Sequence, residues 1–169
     1  MRISFGLAFM ALLFVAGFST LVTADDKMGM GKNVSEMSLQ GTPGLPTCAV
    51  ASVQSGDPAK GPSIIYAELE AGCIIPWHWH TPAEHLMIIS GTARIEMKGG
   101  KSLTLNPGGY AMMPSKHVHQ FRCEKGCSLY VSSNAAFDIQ YVDGQGNEMS
   151  PADALKAVNE IPFVPPEKQ

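Results

Sequence analysis

Between residues 47 and 142 the chain is divided into strand-length apolar runs by glycine, proline, asparagine and serine. "CAVASV", "SIIYAEL", "CIIPWHW", "HLMII", "TARIEM", "SLTL", "YAMM", "VHQFRC" and "SLYVS" are all short, and many of their residues are β-branched or aromatic. Such side chains suit a pleated, half-buried surface. Nothing in this region repeats apolar residues at the helical period of about 3.6. Many short strands at close spacing predict an all-β sandwich or small barrel. The punctuation agrees: "KGGK" (98–101) reads as a two-residue hairpin turn and "LNPGGY" (105–110) as another turn.

The flanks differ from this centre. Residues 1–24 have a positive start (Met1, Arg2), the apolar run "ISFGLAFMALLFVAGF", and "VTADD" with small Ala24 before two aspartates. That is the form of a cleavable export signal, so the mature chain is expected to begin near Asp25, periplasmic or secreted, with no membrane attachment after cleavage. Residues 25–45 lack periodicity and read as a flexible arm leading into a domain at 46–145. Met28, Met30 and Met37 on that arm are soft metal ligands, but their loose spacing points to a plain tail. In 146–169, Ser150 reads as a helix cap, Pro151 as the first helical residue and Asp153 as reaching back, giving a short C-terminal helix of roughly three turns. The proline-rich "IPFVPPEKQ" then stays extended.

Lys and Arg number 12 against 15 acidic residues, with no basic run of five, which argues against nucleic acid as a partner. The four cysteines, Cys48, Cys73, Cys123 and Cys127, are an even number, and export would place them in an oxidising compartment. "CEKGC" suggests Cys123 and Cys127 opposite each other across a hairpin, leaving Cys48 with Cys73 by elimination. Four reduced cysteines packed as small hydrophobes are the alternative.

The chain has five histidines, three of them in "PWHWHTPAEH" (76–85) and two in "SKHVH" (115–119). On a strand, residues two apart share a face, so His78 and His80 point together with Trp77 and Trp79 opposite. A turn at "TPA" starts the next strand at Glu84, beside them. Imidazoles and a carboxylate converging inside a barrel suit a divalent transition metal. "HVH" offers His117 or His119 as a further ligand from a distant strand.

These residues carry a resemblance. Gly72, His78, His80, Glu84 and Gly91 satisfy every fixed position of the first cupin motif, G-x₅-H-x-H-x₃₋₄-E-x₆-G. Gly108, Pro114 and His119 match the second, G-x₅-P-x-G-x₂-H-x₃-N, whereas Lys116 stands at its second glycine and Cys123 at its asparagine. The chain therefore resembles a small single-domain, type-2-like cupin, which implies a small β-barrel or jelly roll. The resemblance implies His78, His80, Glu84 and His119 as ligands to one divalent metal (Fe, Mn, Cu, Ni or Zn). His117 then becomes a pocket wall, and His85, beside Glu84, points away. Four protein ligands leave two octahedral positions, close kin to the sites of non-haem iron oxygenases. The function expected is a metal-dependent, dioxygenase-like oxidoreductase acting on a small molecule. The alternative is a non-catalytic module that holds a metal or small ligand. His117, Lys116 and Tyr110 are the candidate acids or bases. The outward tryptophans serve either packing or, as in many cupins, a homodimer surface.

Overall fold

Alternation between buried and half-exposed residues sets the strands. A computed structural model of the chain describes residues 29–158, divided between a unit ending at Asn33 and the unit from Val34 that is described below. The export signal, Met28 and the tail from residue 159 lie outside the described residues. The strands are β1 (Gln40–Gly41), β2 (Ala49–Gly56), β3 (Ser63–Leu69), β4 (Ile74–Trp79), β5 (Glu84–Met97), β6 (Leu103–Leu105), β7 (Tyr110–Met113), β8 (His119–Ser133), β9 (Gln140–Val142) and β10 (Glu148–Met149). All pair antiparallel, in the order β1-β2-β3-β8-β4-β9-β10, and β5 pairs with β6, β7 and β8. The result is an open, jelly-roll-like all-β architecture; among the described residues it carries a 3₁₀ turn (Val34–Glu36) and a short α-helix, α1 (Pro151–Lys156). Among the described residues no helix is long and apolar enough to cross a membrane.

The long strands β5 and β8 organise the rest. Glu84 pairs with Ser133 at one end of their ladder, and Met97 with His119 at the other. β8 also pairs with β4 through its first half and with β3 through its second. The inward residues Leu86, Ile88, Ile95, Phe121 and Leu129 pack with Leu69 and Met113 into one core. Midway, the ladder changes register between Ile88 and Ser90 and again between Gly91 and Ala93. There Gly91 and Gly126 both take φ 73°, and a Cβ on Gly91 would overlap the carbonyl oxygen of Gly126. Only glycine permits both that backbone conformation and that contact. The last fixed glycine of the first motif thus lies where the two strands bend.

"CEKGC" differs from its expected form. Cys123 and Cys127 lie within the single strand β8, and residues 124–126 bulge out of it, because β5 pairs on both sides without reversing. Glycine is needed for such a bulge as for a hairpin, so the local signal is the same for both. The pairing is as expected: Cys123 with Cys127 and Cys48 with Cys73, at Cα separations of 5.8 and 5.7 Å. The "KGGK" turn forms with Lys98 and Gly99 at its centre, Gly100 N–H donating to Met97 O at 3.0 Å. At "LNPGG", Gly109 N–H donates to Asn106 O at 2.8 Å with Gly108 at φ 85°, which is a type II turn behind Pro107.

The stretch expected as an arm is partly built in. Gln40 and Gly41 pair with β2, and Gly44 O accepts from the Tyr141 hydroxyl at 2.9 Å. The helix is shorter than expected, six residues. Its cap is as anticipated in kind: Ser150 Oγ accepts from Asp153 N at 3.1 Å and donates to the Asp153 carboxylate at 2.7 Å. Lys116, where the motif has glycine, sits at φ 59°, a left-handed backbone that costs a side-chain-bearing residue about 1–2 kcal/mol. Its ammonium lies 5.6 Å from the Trp79 ring centroid, which offsets part of that cost.

Gly91→Ala is expected to destabilise the fold by more than about 2 kcal/mol, since the left-handed penalty alone reaches that size. Gly61→Ala, where an added Cβ meets nothing within 4 Å, serves as the control. Urea midpoints of the two variants provide the measurement, and equal midpoints would refute the bend.

Candidate metal centre

Strand β4 alternates as its sequence predicts: Pro76, His78 and the following His80 are buried, whereas Trp77 and Trp79 are half-buried on the other face. The turn at 81–83 leads into β5 with Glu84 as its first residue. His119 opens β8 and pairs directly with His78. Relative exposures are 3% for His78, 4% for His80, 6% for Glu84 and 1% for His119. Ligand-type nitrogens of the three histidines lie within 4.8 Å of one another, so these three could hold a metal ion.

The ring orientations are fixed from behind. Nδ1 of His78 meets Pro76 O at 2.6 Å and Nδ1 of His119 meets His117 O at 2.9 Å. Nδ1 of His80 meets the carbonyl of Asp138, 58 residues away in sequence. A carbonyl only accepts, so each Nδ1 carries the proton and each Nε2 presents a lone pair. Glu84 faces these lone pairs, with Oε1 3.5 Å from His80 Nε2 and Oε2 3.1 Å from His119 Nε2. Nε2 of His80 and Oε2 of Glu84 are buried without a hydrogen-bond partner. Lone pairs this close and this dry require a cation between them, either a proton or a metal ion. The donor set, imidazole nitrogens with a carboxylate, is one that transition metals take.

Electrostatics favour the ligand forms. Burial holds His78 well below its ordinary value of 6.5, reinforced by His119 and His80. Burial also lowers His80, against the pull of Glu84 and the Asp138 carbonyl. Burial opposes the charged form of Glu84, but His80, His119 and His85 outweigh it and keep the carboxyl below 4.5. Near neutrality, then, His78 and His80 are neutral and Glu84 is a carboxylate, the states a metal needs.

Two residues that the sequence did not single out support His80. The Phe137 ring stacks on it at 4.3 Å between centroids and 21° between planes. The Asp138 carboxylate accepts from Thr81 N at 2.7 Å and from Thr81 Oγ1 at 2.6 Å. One residue thus orients His80 through its carbonyl and clamps the turn between His80 and Glu84 through its side chain. Of the two histidines in "HVH", the structure brings His119 to the cluster and leaves His117 outside it. Tyr110 is 57% exposed and meets His85 Nδ1 at 2.7 Å. Tyr110, Lys116 and His117 are absent from the walls of the cavity into which the cluster faces.

That cavity has a volume of about 660 Å³ and is walled chiefly by apolar residues of β2, β3, β5 and β8. An open antiparallel jelly roll around an apolar chamber, with three inward histidines that could hold a metal ion at the chamber wall, defines the class of fold and site. The Cupin domain family model matches residues 65–133, the stretch that bears every residue of the cluster. Over that stretch the chain carries a cupin domain of the type-2-like kind. None of the curated proteins matches it in sequence. Among solved structures it resembles the polyketide cyclase RemF from Streptomyces resistomycificus, with 14% identity, 69% of this chain and 87% of that one covered, and a TM-score of 0.60. It also resembles an RmlC-like cupin from Shewanella frigidimarina (11% identity, 64% and 92% covered, TM-score 0.54). A third similar structure is the DMSP lyase DddQ from Ruegeria pomeroyi (20% identity, 59% and 57% covered, TM-score 0.51). At these identities the likeness is one of fold.

The neutral, buried histidines predict an acid-labile metal-free protein. The unfolded chain binds protons near pH 6.5 where folded His78 and His80 do not, so stability should fall as pH drops through that value. For each such histidine the slope steepens as pH falls below 6.5 and is bounded by about 1.4 kcal/mol per pH unit. Urea unfolding of chelator-treated protein between pH 7.5 and 5.5 measures it. A flat profile would overturn the assignment.

Proposed function

We propose that this chain is an exported, metal-dependent oxidoreductase of the dioxygenase type, acting on a small molecule. The reading assigns residues 1–24 to a cleaved signal, 46–145 to the barrel, and His78, His80, Glu84 and His119 to one divalent transition metal. The carrying observation is the convergence of three Nε2 lone pairs and an unpartnered carboxylate oxygen on one point of the cavity wall. Two cysteine pairs at bridging distance support the oxidising compartment that export implies.

A divalent transition metal in this site supplies a Lewis acid and, when redox-active, a partner for dioxygen. The protein's part is to hold, orient and dry. His78, His80 and His119 would bind through Nε2 because their Nδ1 protons are committed to carbonyls. Leu86, Phe121 and Leu129 exclude water around them. Asp138 is no proton donor. Burial raises its carboxyl, but the two hydrogen bonds from Thr81 prevail and hold it below 3.8.

Among the described lining residues, the titratable side chains are the four proposed ligands and Asp138. A cavity without a free acid or base suits chemistry driven by dioxygen better than hydrolysis or isomerisation, which need placed proton carriers. The same feature supports the second reading, a module that binds without turnover. The solved cyclase and lyase of this fold show that the barrel alone does not choose a reaction.

Reconstitution with Fe(II), Mn(II), Ni(II), Cu(II) or Zn(II) followed by elemental analysis should find one ion per chain. Alanine at His78, His80 or His119, or glutamine at Glu84, should weaken binding by more than about 100-fold, beyond what loss of a supporting partner costs. His85→Ala and His117→Ala should leave it unchanged. If His117→Ala empties the site and His119→Ala does not, the ligand assignment is wrong. Dioxygen uptake by the loaded protein with a panel of small apolar molecules separates the two functional readings, and uptake with none of them favours the binding module.

A further inference from the structure

The cavity walls carry information about the ligand that the ligating residues do not. β2 places Ala51 directly opposite Ala67 of β3, and both line the cavity. Strand interiors usually carry bulky β-branched residues, so this small-to-small pair leaves open volume inside the sheet. Around it stand Ile65, Leu86, Phe121, Leu129 and Val131. The segment 38–45 closes one side with neutral polar groups, Ser38, Gln40 and Thr42. At water's share of about 30 Å³ per molecule of liquid, the chamber holds on the order of 20 non-hydrogen atoms.

Charge is distributed unevenly over this surface. Among the described lining residues there is no lysine or arginine, and the acids, Glu84 and Asp138, sit with the histidines. A phosphate or second carboxylate on the ligand's body would be desolvated against aliphatic walls with no cation to pair it, at a cost of several kcal/mol. The one place where a negative group can be compensated is the proposed metal.

We infer that the cavity takes a small molecule with an uncharged, largely apolar body and a single oxygen-bearing head directed at the metal centre. It selects against phosphorylated and multiply anionic compounds. The head group rests on the metal site proposed above, whereas the body rests on the walls alone.

Calorimetry on the mature chain, residues 25–169, tests the two parts separately. For the body, the metal-free protein is titrated with 1-alkanols and with alkyl phosphates of equal chain length. Affinity for the alkanols should rise about fourfold per added methylene until the chamber is full, and the phosphates should bind at least tenfold more weakly. Ala67→Leu should shorten the tail length at which the rise stops. A flat alkanol series, or phosphates that bind as well as alcohols, overturns the inference whatever the metal content. For the head, the metal-loaded protein is titrated with 4-butylcatechol and its dimethyl ether. The loaded protein should prefer the catechol by at least tenfold, and the metal-free protein should not. Equal binding by a protein shown to carry its ion overturns the head assignment. Failure to take up any ion overturns the proposed metal site and leaves the alkanol result to decide the body.

Discussion

A strand rises about 3.3 Å per residue, so the fourteen residues of β5 drawn straight would hold their ends more than about 40 Å apart. Glu84 stands at one end, and His119 pairs with Met97 at the other. Yet Glu84 Oε2 and His119 Nε2 are 3.1 Å apart. The β5–β8 ladder must therefore turn back on itself, and the two register changes with the Gly91–Gly126 contact between them are where it does so. Cys123 and Cys127 flank the bulge on one side of that bend and are joined to each other. The site, the chamber beside it and the pairing of β8 with both β3 and β4 all follow from this fold-over. Gly91, which ligates nothing in the proposed site, thus has as much bearing on the convergence of the histidines and Glu84 as their own spacing.

Period two is the simplest signal in a β-protein, and it placed His78 and His80 inward and the tryptophans outward without help from the rest of the chain. The turns at "KGG" and "PGG" and the Ser150 cap were equally legible, because each depends on local chemistry. What local chemistry cannot specify is which distant strand will pair. "CEKGC" has the residues of a hairpin and forms a bulge, since β5 runs along both of its flanks. Residues 38–45 have no strand pattern but become ordered by pairing with β2 and by accepting a hydrogen bond from Tyr141. Tyr110 is close in sequence to the second motif, but strand pairing sets it beside His85 and away from the histidine cluster.

Phe137 and Asp138 belong with these long-range features. They lie in an irregular stretch between β8 and β9 and match no motif. Their partners are His80 and Thr81, more than fifty residues earlier. The available signal was weak: an aromatic beside an aspartate, preceded by "SSNAA", in a segment without periodicity. Asp138 matters because its carbonyl sets the tautomer of His80 while its carboxylate fixes the turn that spaces His80 from Glu84. Supporting groups of this kind orient metal-binding histidines, and their loss weakens a site without removing a ligand.

The charge balance of the site connects these parts. Neutral imidazoles contribute no charge, and Glu84 contributes one negative charge in a chamber walled by hydrocarbon. A divalent ion held there would leave one net positive charge facing a space of low polarity, where Coulomb interactions are much stronger than in water. Such a centre attracts one anionic or strongly polar oxygen and gives a second negative group nothing to pair with. Asp138 does not upset this balance because Thr81 already takes up its carboxylate. The apolar walls therefore do more than provide room. Among the described lining residues no cationic side chain competes, so an ion held at the histidines would be the electrostatic anchor of the chamber, and a ligand's orientation would follow from which end carries its oxygen.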